Sequence, residues 1–262
     1  MNSFAKWLIA GAVILGIGVC VIIIGLALNG WKWGADYETK DFTSAEQVTE
    51  LDLNAAAGNL YVEFYDGEDV EISYPVSDYF SYSVTEQDGT VKLSYSNKWY
   101  AFFNFGWWSK PMETHVKIPA SLTADVSVRL SAGQVFIADG SFGKVNLHVS
   151  AGTLAAGNIQ CGQLVCDVSA GALKIAQATS ESVKCHVSAG SFAIDRLVCP
   201  VIDAEVSAGS ASLKVVGEES AYSVSVDKSA GSCNISGKTG TDPTKRIGVH
   251  VSAGSVDISF VN

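Results

Sequence analysis

Apolar and polar residues alternate over short stretches of this chain, and the stretches return at a fixed interval. Val126, Val145, Leu164, Val183, Ile202, Val224 and Ile247 open seven such stretches. Two residues on stand Val128, Leu147, Cys166, Cys185, Ala204, Val226 and Val249, and two further on Leu130, Val149, Val168, Val187, Val206, Lys228 and Val251. Each stretch runs into the triplet Ser-Ala-Gly, with steps of 19, 19, 19, 19, 22 and 23 residues. Ala56-Ala57-Gly58 is a degenerate eighth copy. Period-2 alternation predicts half-buried β-strands, and repetition at this interval predicts a stacked array.

After each triplet the apolar places resume with shifted parity, as in Val135/Ile137, Leu173/Ile175, Phe192/Ile194 and Val256/Ile258. A strand cannot change parity without bending, so the triplet marks a corner. A third, shorter apolar patch at Ile159/Cys161 and Leu197/Cys199 predicts a third side. The expected fold is all-β: a single-stranded-type β-solenoid with three-sided coils of about 19 residues. At its corners Gly133, Gly152, Gly171, Gly190, Gly209, Gly231 and Gly254 accept backbone angles that a Cβ would forbid, and the Ala is expected in the tapering interior. The extra residues of the two long intervals fall around 214–223 and 236–246, which predicts loops near the C-terminal end.

Residues 59–125 interrupt the first repeat. "LYVEFYDGEDVEISY" and "YSVTEQDGTVKLSY" read as strand, turn, strand, with Asp66-Gly67 and Asp88-Gly89 at the turns. The expected organisation is an anchor over 1–33, a linker over 34–47, an N-terminal β cap with first coil over 48–125, and regular coils over 126–262. An apolar segment, then "LDLNAAAGNLYVE", "VKIPASL" and stacked "VSAG" coils together resemble the bacterial "putative adhesin" family of membrane-anchored β-solenoid domains of unknown function. The resemblance covers about residues 48–262. It implies an envelope protein and supplies no active site to carry over.

The segment Trp7–Leu28 holds 22 uncharged, mostly apolar residues, about 33 Å as a helix and enough for a bilayer core. Trp7, Trp31 and Trp33 stand where interfacial aromatics would. We expect one uncleaved transmembrane helix, with the C-terminal domain outside the cell membrane. A cleavable signal peptide is the rival, although its apolar core is normally ~7–15 residues. Lys6 is the one base before residue 30, so the remainder carries 16 bases against 27 acids. That balance argues against nucleic acid as a partner.

The densest chemistry outside the repeat is "KWYAFFNFGWWSK", with Trp99, Tyr100, Phe102, Phe103, Phe105, Trp107 and Trp108. These rings suit a loop docking to membrane, protein or cell-surface glycan, and equally a plug over the open end of the solenoid. Arg129, His148, Asp167, His186, Glu205, Asp227 and His250 share one outward place per repeat. His148 and His186 would lie ~9.6 Å apart, too far to share a metal, so the column reads as a solvated charge ladder. Cys166 and Cys185 fall inward in adjacent coils and read as small hydrophobes.

No motif for catalysis or for a cofactor appears, and near-minimal coils leave little room for a cleft. The expected function is therefore a non-catalytic interaction module of the envelope, in adhesion, scaffolding or stress sensing. A self-assembling structural solenoid is the alternative, and an enzyme acting on cell-wall glycan ranks third. The last repeat, ending at Asn262, is expected to expose an open edge around Val256 and Ile258, through which a homodimer would form.

Overall fold

The computed structural model describes residues 37–77, 80–97 and 112–261. The anchor segment and the aromatic run at 99–108 lie outside the described residues. No helix among the described residues is long and apolar enough to cross a membrane.

The chain is all-β. Its first strands are β1 (Glu38–Thr43), β2 (Glu50–Ala55), β3 (Asn59–Tyr65), β4 (Glu71–Val76), β5 (Phe80–Gln87), β6 (Thr90–Asn97) and β7 (Glu113–Pro119). Then follow β8 (Asp125–Leu130), β9 (Gln134–Ile137), β10 (Gly140–Ser141), β11 (Lys144–Val149), β12 (Thr153–Val168), β13 (Ala172–Val187) and β14 (Ser191–Val198). The last six are β15 (Val201–Val206), β16 (Ser210–Val216), β17 (Ser223–Lys228), β18 (Ser232–Cys233), β19 (Arg246–Val251) and β20 (Ser255–Val261).

Strands before each triplet stack in parallel on one side of the solenoid, and strands after it stack on a second. Residues 19 apart pair throughout the middle, as in Val145↔Leu164↔Val183↔Ile202 and Val135↔Leu154↔Leu173↔Phe192. Ile159, Ala178 and Leu197 line the short third side. All of these side chains are buried, so each coil closes its apolar face against the next.

The corner explains the triplet, with two corrections. Backbone bonds run from corner to corner: Ala170 N donates to Ser150 O at 3.0 Å, and Ala189 N to Ser169 O at 2.8 Å. The triplet Ala is exposed at the corner tip, not inside as expected, because the chain turns around the Gly. Positive φ occurs at Gly133 (105°) and Gly152 (101°) but not at the later corners. There the glycine is required by close approach. A Cβ on Gly171 would lie 2.5 Å from the Gly152 carbonyl oxygen and 2.6 Å from Val149 Cγ1.

Both ends depart from sequence order. At the N-terminal end β6 packs outside β2, and β7 outside β3, so these two strands lie one coil beyond the pair that precedes them in the chain. An antiparallel cap covers it, β5 pairing with β6 and β4 with β7, and β1 with β4. At the C-terminal end β19 lies between β15 and β17, and β20 between β16 and β18. The last coil of the sequence is thus the penultimate coil in space.

This arrangement corrects the expected C-terminal edge. Val256 and Ile258 are buried at 2% exposure; Val256 pairs with Ala211 and Cys233, and Ile258 pairs with Leu213 and bonds on its other side to the Asn234 side chain. The outermost described coil is β17 and β18, where Lys228 occupies an inward-parity place yet is exposed because no described strand stacks beyond it. That edge is blunted. Lys238 pairs antiparallel with Val224, and β18 is two residues long. β18 and the Asn234 side chain cover β20 as far as Ile258.

Candidate interaction surfaces

The two long sides of the solenoid present different chemistry. On the β8/β11/β15 side the outward column runs Arg129, His148, Asp167, His186, Glu205, His250, Asp227. Coil insertion changes its order, because His250 now separates Glu205 from Asp227. Acid and imidazole alternate from His148 to the end. His186 Nδ1 lies 3.4 Å from Glu205 Oε2, and His250 Nδ1 lies 3.7 Å from Asp227 Oδ2. His148 and His186 each reach the Ser two residues on, at 3.2 and 3.4 Å. Asp52 takes two bonds from Arg129, at 2.6 and 2.8 Å. Among the described residues no group of three His, Cys, Asp or Glu converges as metal ligands.

On the other long side many outward places are small or aromatic, with charge at Lys174, Asp195, Lys214 and Asp257. One column runs Gln134, Thr153, Ala172, Ser191, Ser210, Ser255, Ser232. Beside it runs His115, Tyr61, Phe136, Ala155, Lys174, Ala193, Ser212. Its first three rings stack. Tyr61 and His115 have centroids 4.9 Å apart with planes at 14°, and Tyr61 and Phe136 have centroids 5.3 Å apart with planes at 11°. Phe136, 39% exposed, ends the stack. A shallow groove of about 340 Å³ opens beside it, lined by Tyr61, Glu63, Phe136, Ala138, Ala155 and Gly157.

Sequence reasoning missed this aromatic stack. The available signal was parity: Tyr61 lies between inward Leu60 and Val62, and Phe136 between inward Val135 and Ile137. The seven aromatics singled out from the sequence fall outside the described residues, in the connection from β6 to β7. The corner glycines Gly133, Gly152, Gly171, Gly190, Gly209, Gly254 and Gly231 follow one another in that spatial order, each against its neighbour's backbone.

Among the described residues Cys166, Cys185 and Cys199 are buried, and Cys161 and Cys233 are half-buried. Burial holds the Cys166 thiol well above its ordinary pKa and pushes Cys185 up to about 12 and Cys199 up to about 11. Cys166 and Cys185 are direct neighbours across β12 and β13. Such thiols are poor nucleophiles and pack as apolar groups.

A coiled parallel stack with minimal turns defines a β-solenoid domain. Residues 48–262 match the family model Toastrack DUF4097, and the chain belongs to that family. The chain is similar to several solved structures. One titled a putative adhesin, from Parabacteroides merdae, is 12% identical with a TM-score of 0.50, covering 85% of this chain and 96% of that one. A second putative adhesin, from Bacteroides fragilis, is 16% identical with a TM-score of 0.44, covering 86% and 97%. A protein from Parabacteroides distasonis titled a putative lipid binding protein is 13% identical with a TM-score of 0.39, covering 85% and 96%. No curated protein matches in sequence.

Proposed function

We propose that this chain is a non-catalytic interaction module of the bacterial cell envelope, held at the membrane by Trp7–Leu28 with the solenoid outside. The observation that carries this reading is the column of short side chains in register, from Thr153 to Ser232, with the stacked rings in the column beside it. Short side chains lose little conformational entropy on contact, so such a face suits association with an extended partner. The adhesin titles of the solved relatives agree with it. The side on which acid and imidazole alternate is polar and solvated instead.

Cells displaying the full chain test the reading. Protease added to intact cells should release the domain while sparing cytoplasmic controls. Full chain in lipid nanodiscs should also bind isolated envelopes, and Ser191→Lys with Ser210→Lys should reduce that binding. Protection from protease until lysis would reverse the topology, and unchanged binding by the double variant would remove this face from the reading.

A further inference from the structure

The stacked rings meet a trough that runs across the solenoid. Along the first part of β12 the outward residues are Thr153, Ala155 and Gly157, all short, over a length of about 13 Å at strand rise. Tyr61, Glu63, Phe136 and Ala138 line the trough on one side, and the coil carrying Ala172 and Lys174 is the next in the stack. Tyr61 covers one face of the Phe136 ring, and the opposite face turns toward the Ala155 methyl. From Phe136 to Lys174 is two coil steps, ~9.6 Å, which leaves one flat ring's thickness between them. Asp139 closes the far end. Its carboxylate accepts the Asn158 N–H at 2.8 Å and lies directly over Gly157, where a Cβ would displace it.

We propose that this trough binds a neutral glycan, with one pyranose ring stacked on the free face of Phe136. The inference deepens the interaction reading above and rests on it. An aromatic face is electron-rich and attracts the polarised C–H groups of a sugar's apolar side. Thr153, Gln134 and Asp139 stand around that ring as hydrogen-bonding partners for its hydroxyls. Lys174 is held toward the next coil by Asp195, at 2.9 Å, so it bounds the trough without filling it. The chain's net charge of −10 disfavours a polyanionic glycan. A saccharide lies along the open trough, whereas a protein aromatic would need its own backbone accommodated over the same short floor.

Purified full chain in detergent, titrated with a tetramer of β-1,4-linked N-acetylglucosamine and read by calorimetry, tests the proposal. Phe136→Ser removes the stacking face, and Ala155→Phe fills the slot with a ring of the protein's own. Each should weaken binding by about tenfold or more, while melting stays close to that of the parent and His186→Ser on the opposite side changes nothing. Because Ala155→Phe extends the existing stack, it keeps the test informative if Phe136→Ser disturbs folding. Equal affinity in both variants would overturn the site, as would no binding by the parent up to about 10 mM sugar. Binding of a tyrosine-rich peptide in place of the sugar would equally overturn it. Envelope binding that persists without glycan binding would leave the interaction module standing and this site refuted.

Discussion

The middle of this solenoid and its two ends obey different rules, although they share one repeat. In the middle, β12 and β13 run without interruption from one corner to the next. No slack separates successive coils, so each must stack on its predecessor. At the ends, connecting segments are longer and the chain skips a coil position and returns. The step from Ser207 to Ser229 holds three residues beyond the usual 19, worth up to ~10 Å of reach, whereas skipping one coil takes only ~4.8 Å more. A repeat period therefore specifies the shape of a coil, while connector length governs its place in the stack.

What the ends require is cover. A parallel stack exposes an unpaired backbone edge at each terminus, and this molecule shields both. At the N-terminal end an antiparallel layer does so. At the C-terminal end a short coil with a folded-back loop takes the outside position, and the fully apolar coil of β19 and β20 is kept inside.

The largest expected contrast lies in the corner glycines. Gly171→Val places branched carbons against backbone fixed on both sides, and should cost about 3 kcal/mol or more in urea unfolding. Gly231→Val meets Val251 and the Gly254 carbonyl, but no coil lies beyond it, so outward movement should limit the loss to about 1 kcal/mol. Equal losses would mean that the end coil is as rigidly held as the middle.

Next comes the inward column. Val206→Lys buries an ammonium between paired coils and should cost about 3 kcal/mol or more. Lys228→Val, at the equivalent place of the outer coil, should change stability by no more than about 0.5 kcal/mol. It should promote concentration-dependent association, seen in sedimentation, because it removes a charge from the exposed edge. Strong stabilisation by Lys228→Val would place β17 inside the stack instead.

The smallest effect concerns the charge ladder. His250→Asp would set three acids in adjacent coils, at Glu205, position 250 and Asp227. A melting point slightly below the parent's at low salt, recovering in 0.5 M salt (on the order of a 4 Å Debye length), is expected. No change at low salt would mean that the neighbours are not those described.

Much of the fold was legible in the sequence. Strand parity, the corner and the third side all follow from apolar spacing, since a buried face tolerates no slip in register. Coil order was harder, because paired repeats are nearly interchangeable in the pattern of Val, Ile and Leu. Two features nevertheless carried the signal. Lys228 at an inward place is incompatible with a sandwiched coil, and Glu205 beside Asp227 would oppose like charges. Both conflicts vanish once the final repeat is inserted. The His115–Tyr61–Phe136 stack was not legible for the same reason: it joins β7, β3 and β9, whose adjacency depends on the displaced N-terminal coil.

Insertion of the C-terminal coil is the central claim, and backbone proximity tests it most directly. In isotope-labelled protein, nuclear Overhauser contacts between the backbones of Ala204 and Val249, and between Val249 and Val226, should be present. Ala204 and Val226, two coil steps apart at ~9.6 Å, should show none. A direct Ala204–Val226 contact, without one between Ala204 and Val249, would restore sequential stacking and contradict the account.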